Sequence, residues 1–168
     1  MSIYESSVPH LKKMLTSLDR WLDAASAHAQ KKSFDVNVLL QGRLAPDQYP
    51  LVRQVQTACD GAKFAAARLT GKEAPKHPDT EQTIDELHAR VKSVVAYLDT
   101  FKAADFAGAE GKLIDLPFLE GKKIKGDDYL NELVLPNFYF HVTHVYAILR
   151  HNGVELGKRD FISGLTLQ

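Results

Sequence analysis

His141 and His144 stand three residues apart, and His151 follows seven residues after His144, in a segment crowded with Phe138, Tyr139, Phe140 and Tyr146. Imidazoles beside that much apolar surface can exchange protons near neutral pH, accept and donate hydrogen bonds, or bind a divalent metal. On a helix each residue turns about 100° around the axis. That rotation puts Leu135, Phe138, Val142, Val145 and Leu149 on one apolar seam with His141 at its edge. His144 and His151 share a direction farther from the seam, together with Asn137 and Ile148. His144 and His151 therefore read as a half-exposed face. His141 has two readings: a satisfied hydrogen-bonding group at the core edge, or a base, ligand or donor pointing into a pocket between helices.

Metal ligation can be tested by spacing, because two ligands on one helix normally sit at i and i+4 or at i and i+3. The chain has no His-x-x-x-His, and His141 with His144 gives only His-x-x-His. The segment 47–70 contains no histidine, which leaves Asp47 and Gln54 as its nearest oxygen donors; Asp60 faces the other way, toward solvent or another contact. No cofactor is expected on this count. A zinc or nickel ion, if held at all, would have His141 and His144 as its ligands. His10, His28, His77 and His88 are expected at the surface. Cys59 lies among alanines and reads as a small buried filler. Arg43 and Asp47 flank Leu44-Ala45-Pro46, and form either an ion pair locking the loop or a clamp on a ligand carboxylate. The expected pocket set is His141, Gln54, Asn137, Asp47 and Arg43, with no catalytic residue identified. No phosphate-cradling loop, nucleophile elbow or dinucleotide fingerprint occurs.

The elements that must position these residues are helical. Ser7 with Val8-Pro9 reads as a helix start, followed by Leu11, Leu15, Leu18, Leu22, Ala25 and Ala29 at alternating spacings of four and three. Asp35 to Gln41 suggests a short helical turn. Asp47 is placed to cap a second helix carrying Leu51, Val55, Ala58, Ala62, Ala65 and Leu69, stopped by Gly71. After a Pro- and charge-rich connection, Thr83 and Glu86 fit a capping box for a third seam of Ile84, Leu87, Val91, Val94, Leu98 and Phe101. Residues 112–126 break the helical period and read as a small hairpin around Glu120-Gly121. The fourth helix starts near Asp127 or Asp128, is kinked or restarted at Pro136, and ends at Asn152-Gly153. The fold class is all-α: an up-down four-helix bundle with a small β-hairpin before the last helix, forming one domain over 1–168.

The chain has 168 residues, with 21 Lys plus Arg against 21 Asp plus Glu, so it lacks the basic excess of a nucleic-acid binder. No apolar stretch approaches the roughly 18 residues of a membrane span. With a single cysteine and no basic-then-apolar leader at the N-terminus, the expected location is cytoplasmic. The last helix is apolar over more of its circumference than one seam needs, which predicts a homodimer unless the tail beyond Gly153 covers it.

The run Arg43-Leu44-Ala45-Pro46-Asp47, with Arg53-Gln54-Val55-Gln56, Pro136-Asn137-Phe138 and the ending Leu149 to Phe161, resembles an uncharacterised domain-of-unknown-function family in the DinB/YfiT-like superfamily of metalloenzymes. That resemblance covers nearly the whole chain. It implies a bundle, often dimeric, with a pocket near one end. Relatives in the superfamily include metal-dependent thiol transferases, whose divalent site uses one histidine from the second helix and a His-x-x-x-His pair on the last. Here only His141 matches. The expected function is a small-molecule-binding or catalytic pocket with a lost or altered metal site. The alternatives are a non-enzymatic dimeric interaction protein and a metal-dependent hydrolase or thiol transferase, and the residues leave enzyme and non-enzyme both open.

Overall fold

In the computed structural model, which describes residues 2–165, the first helix α1 runs Ile3–Lys32 and is capped by Ser2, not by Ser7. The reason is a complete capping box: the Glu5 N–H donates to Ser2 Oγ, and the Ser2 N–H donates to the Glu5 carboxylate at 2.8 Å. Pro9 is therefore interior. It lies on an exposed face, where water can serve the carbonyl left without its N–H partner. The whole expected seam from Leu11 to Ala29 is buried.

Helix α2 (Leu51–Thr70) starts after Pro50 with no side-chain cap, so the expected cap by Asp47 is corrected: Asp47 is exposed. It stops at Gly71, whose φ of 85° is the left-handed conformation that a helix end favours for glycine. Helix α3 (Ile84–Asp99) begins at the Thr83–Glu86 capping box. Strands β1 (Leu113–Asp115) and β2 (Lys123–Lys125) pair antiparallel with Ile114 opposite Ile124, so the hairpin is present. The last long helix is assembled from α4 (Gly126–Asp128), a π-helical stretch Tyr129–Val134, and α5 (Leu135–His151). Pro136 neither restarts it nor stands alone: the register widens just before it, with the Leu135 N–H bonded to the Leu130 carbonyl five residues back. A short α6 (Lys158–Phe161) lies in the tail.

Cross-helix bonds fix the directions. Lys12 pairs with Asp99 and the Tyr4 hydroxyl reaches the Phe101 carbonyl, so α1 and α3 are antiparallel. His141 meets Gln54 while Arg68 meets Tyr129, so α5 with its π-helical lead-in is antiparallel to α2. The connection 71–83 runs back along α2, placing Asp79 beside Arg53 and Glu81 beside Gln56, and α3 then starts parallel to α2. The chain directions are up, down, down, up, so the expected four-helix bundle is present but the returning connection 71–83 replaces a strictly alternating up-down order. All four seams meet in one core.

Two coverings shape the site. The α1–α2 connection, with its short turn Val36–Gln41 capped by Asp35, passes over α5 so closely that a Cβ on Gly42 would lie 3.3 Å from Ile148 Cγ2. Ile148 is consequently buried, a correction to its assignment on the half-exposed face. On another face of α5 Phe161 stacks on Trp21 and meets Tyr146 edge-on, so the tail covers that side.

Candidate functional site

His141 is 6 % exposed, on the face of α5 that packs on α2. Facing it is Gln54, 1 % exposed, one turn into α2. Gln54 Nε2 donates to the Tyr49 carbonyl at 3.1 Å. A carbonyl only accepts, so the amide orientation is fixed and Gln54 Oε1 must turn to His141. It accepts from His141 Nδ1 at 2.7 Å, which makes Nδ1 the protonated nitrogen. Nε2 then carries the lone pair and has no protein partner among the described residues. The Tyr49 ring lies nearly parallel to the imidazole, 16° apart with centroids at 6.4 Å, and the Phe140 ring meets it edge-on at 5.2 Å. Burial, then the neighbouring His144, then Arg53 hold the His141 pKa down at about 4, so the ring is neutral at physiological pH.

The same logic orders His144. Its Nδ1 donates to the Phe140 carbonyl at 2.7 Å, and its Nε2 accepts from Gln48 Nε2 at 2.9 Å. Gln48 Oε1 is buried without a partner among the described residues. Gln48 and Tyr49 precede Pro50, so both belong to the connection that caps this end of the bundle. Arg53, one residue before Gln54, lies 5.8 Å from the Tyr49 ring and pairs with Asp79.

Of the expected pocket residues, the structure brings His141 and Gln54 into contact. Asn137, one turn before His141, is exposed and lines a separate cleft. Arg43 and Asp47 are both exposed; Arg43 reaches the Pro46 carbonyl at 3.3 Å and not Asp47. Gln48 and Tyr49 went unnoticed in the sequence, and Arg53 was noted only within the run that carries the resemblance, not as a site residue. Arg53 carried a signal, adjacency to Gln54, while Gln48 and Tyr49 depend on a loop path that no periodicity encodes.

The donor set does not fit the superfamily's metal arrangement. Among the described residues no three His, Cys, Asp or Glu side chains are grouped to hold a metal ion. The α2 side chain opposite His141 is an amide, already engaged as both donor and acceptor. His144 has both ring nitrogens bonded to protein.

A second polar cluster was not foreseen. Arg90, 2 % exposed, binds Asp60 at 2.6 Å, Asp79 at 2.7 Å and Glu81 at 2.9 Å, while Lys63 binds Asp60 at 2.7 Å and His77 Nδ1 at 3.0 Å. Burial opposes ionisation of Asp79 and Glu81, yet hydrogen bonds from Arg53, Arg90 and Gln56 leave both carboxyls below their usual range. This network ties the 71–83 connection to α2 and α3. His77 and His88 are thus not plain surface residues: His77 also meets Ser93, and His88 meets Asp19 on α1. Cys59 is buried, and burial pushes its thiol up to about 12, which removes it as a nucleophile at neutral pH.

With this geometry in view, the comparisons with known proteins are specific. The family model for a domain of unknown function (DUF1993) matches residues 3–162. A crystal structure of a DinB family member from Shewanella denitrificans is 47 % identical, with a TM-score of 0.95 over 99 % of this chain and 94 % of that one. No curated protein matches the chain. The chain belongs to the DUF1993 family and has a DinB-like bundle.

Proposed function

We propose that this DUF1993 member binds a small molecule at the bundle end capped by the α1–α2 connection, with His141 as the recognition residue in place of a superfamily metal centre. One observation carries the reading: the Tyr49 carbonyl orients Gln54, and Gln54 locks His141 with Nδ1 protonated and Nε2 free. A preorganised, neutral imidazole offers a strong acceptor for an O–H or N–H group of the ligand. Its pKa of about 4 favours recognition over proton abstraction, because such a base is roughly three orders of magnitude weaker than one tuned to neutral pH. The loop residues Gln48 and Tyr49 bring the α1–α2 connection against the site. A cytoplasmic location, suggested by the single cysteine, belongs to the same proposal. No described helix is long and apolar enough to cross a membrane.

Long-range proton–nitrogen NMR of the His141 ring tests this. The expected result is an Nδ1–H tautomer at about pH 7, with the Nε2 resonance moving on titration with small phenols and primary amides. An Nε2–H tautomer, or an Nε2 signal indifferent to every such fragment, would overturn it.

A second reading, self-association as a homodimer, is favoured by a specific surface. Phe140 (53 % exposed) and Tyr49 (52 %) stay uncovered beside the His141 ring, while Phe161 of the tail meets Tyr146 instead. A partner subunit on that patch would close the same site.

A further inference from the structure

Beyond His141, a cleft lies between α2 and the π-helical turn. It is a half-open cleft of about 240 Å³ with Arg68, Tyr129 and Asn137 among its lining and Phe64, Phe118 and Leu133 as apolar walls. The volume falls just under the common range for ligand pockets, which suits a small ligand. The wider helical register at Tyr129–Val134 lies along this cleft; such bulges recur at functional sites because they re-aim side chains.

The polar groups converge as donors. Arg68 sits 5.0 Å from the Phe64 ring and has no carboxylate partner among the described residues. One of its N–H groups donates to the buried Tyr129 hydroxyl at 3.1 Å. Because that oxygen accepts from Arg68, the phenolic hydrogen points elsewhere, and no protein acceptor for it is found among the described residues. Burial raises the Tyr129 pKa, so the phenol keeps its hydrogen. The Asn137 amide has no protein partner among the described residues and lies 3.8 Å from where a Gly61 Cβ would stand. The acid in the lining, Asp60, is paired with Arg90 and Lys63 and offers little repulsion.

We propose that this cleft binds a small arylcarboxylate, its carboxylate on Arg68 with help from Tyr129 and Asn137, and its ring between Phe64 and Phe118. A planar guanidinium with free N–H groups matches a carboxylate in two-point geometry, and the neighbouring rings favour an aromatic tail. The inference stands apart from the His141 reading.

Benzoate, phenylacetate and cinnamate, with benzamide as the uncharged control, are the probes. Titration of the wild-type protein by NMR should give at least one arylcarboxylate a Kd of roughly 1 mM or lower. The shifts should centre on Gly61, Phe64 and Tyr129. Benzamide and the Arg68→Gln variant should each bind at least about tenfold more weakly, as loss of a charge-assisted pair requires. Asn137→Asp, at an exposed position that folding tolerates, should weaken binding by repulsion and guards against an Arg68→Gln variant that fails to fold. Binding that survives His141→Phe separates this site from the other. No saturable binding of any of the three acids, equal affinity for benzamide, undiminished binding in a folded Arg68→Gln, or loss on His141→Phe alone would overturn the assignment.

Discussion

Replacing His141 by glutamine, which cannot be protonated, should remove a defined part of the protein's acid sensitivity. The folded-state pKa of His141 is about 4 against 6.5 for the ordinary side chain, through burial first, then His144 and Arg53. Between those values the unfolded chain binds a proton that the folded chain refuses, so falling pH favours unfolding. The contribution is complete above 6.5 and is lost progressively as pH falls through about 4. A displacement of that size corresponds to roughly 3 kcal/mol. Urea unfolding of wild type and His141→Gln, at about pH 7 and about pH 4, measures it. Other groups with lowered values, His77, Asp79 and Glu81 among them, act in both proteins and cancel in the difference. The stability advantage of wild type over the variant should shrink by about 2–3 kcal/mol on acidification. The His141 ring proton, followed by NMR, should titrate below about pH 5, and His144→Gln should raise its midpoint. Parallel pH profiles, or a midpoint near the ordinary 6.5, would refute the inference that His141 is held neutral.

Three further outcomes follow from the same contacts. Arg90→Met leaves Asp60, Asp79 and Glu81 without their shared cation and should destabilise the fold by about 3 kcal/mol, read from the urea midpoint; a change under about 1 kcal/mol would mean the network contributes little. Zinc or nickel added at a small molar excess should leave the thermal midpoint unmoved, since a bound ion would stabilise the folded state; a rise that disappears in His141→Ala would show that His141 is a ligand after all. Sedimentation equilibrium at micromolar concentration should give a dimer that dissociates in Phe140→Ser, whereas a monomer across the range removes the self-association reading.

The fold was legible because each buried stripe is periodic and each break has its own chemistry. Leu11 through Ala29 and Leu51 through Leu69 are buried throughout, and Gly71, Thr83 with Glu86, and Gly121 stand at the boundaries they announce. The errors have two causes, one local and one set by the path of the connections. Ser2 rather than Ser7 caps α1 because proline was read as a start signal, although an exposed interior proline can be tolerated. Ile148 was placed toward solvent because rotation around one helix axis cannot foresee a loop lying across it, whereas His144 is half-buried as that rotation implied. Arg90 was missed for the related reason that its acids arrive on the returning connection, from Asp79 and Glu81, and not at any helical spacing.

The pairing of His141 with Gln54 bears on whether a cation could be held between α2 and α5. A histidine or carboxylate at the α2 position would face His141 with a second lone pair, and a cation could join the two. A glutamine there presents one acceptor and one donor. Its donor is taken by the Tyr49 carbonyl, so its acceptor must meet an N–H, which only the Nδ1-protonated form of His141 supplies on that side. The amide therefore does for the imidazole what an outer-shell partner does for a metal-bound histidine: it fixes tautomer and ring orientation. The difference is that here the remaining Nε2 lone pair is left without a protein partner among the described residues. On this argument Gln54→Glu is the informative substitution. A carboxylate cannot donate to the Tyr49 carbonyl and would hold His141 as a charged imidazolium, raising its pKa well above about 4 and abolishing its role as an acceptor. Ring-proton titration of that variant should therefore show a midpoint displaced upward, together with loss of the fragment-induced shifts at Nε2. An unchanged midpoint would mean that the amide is not what holds His141 in its neutral form.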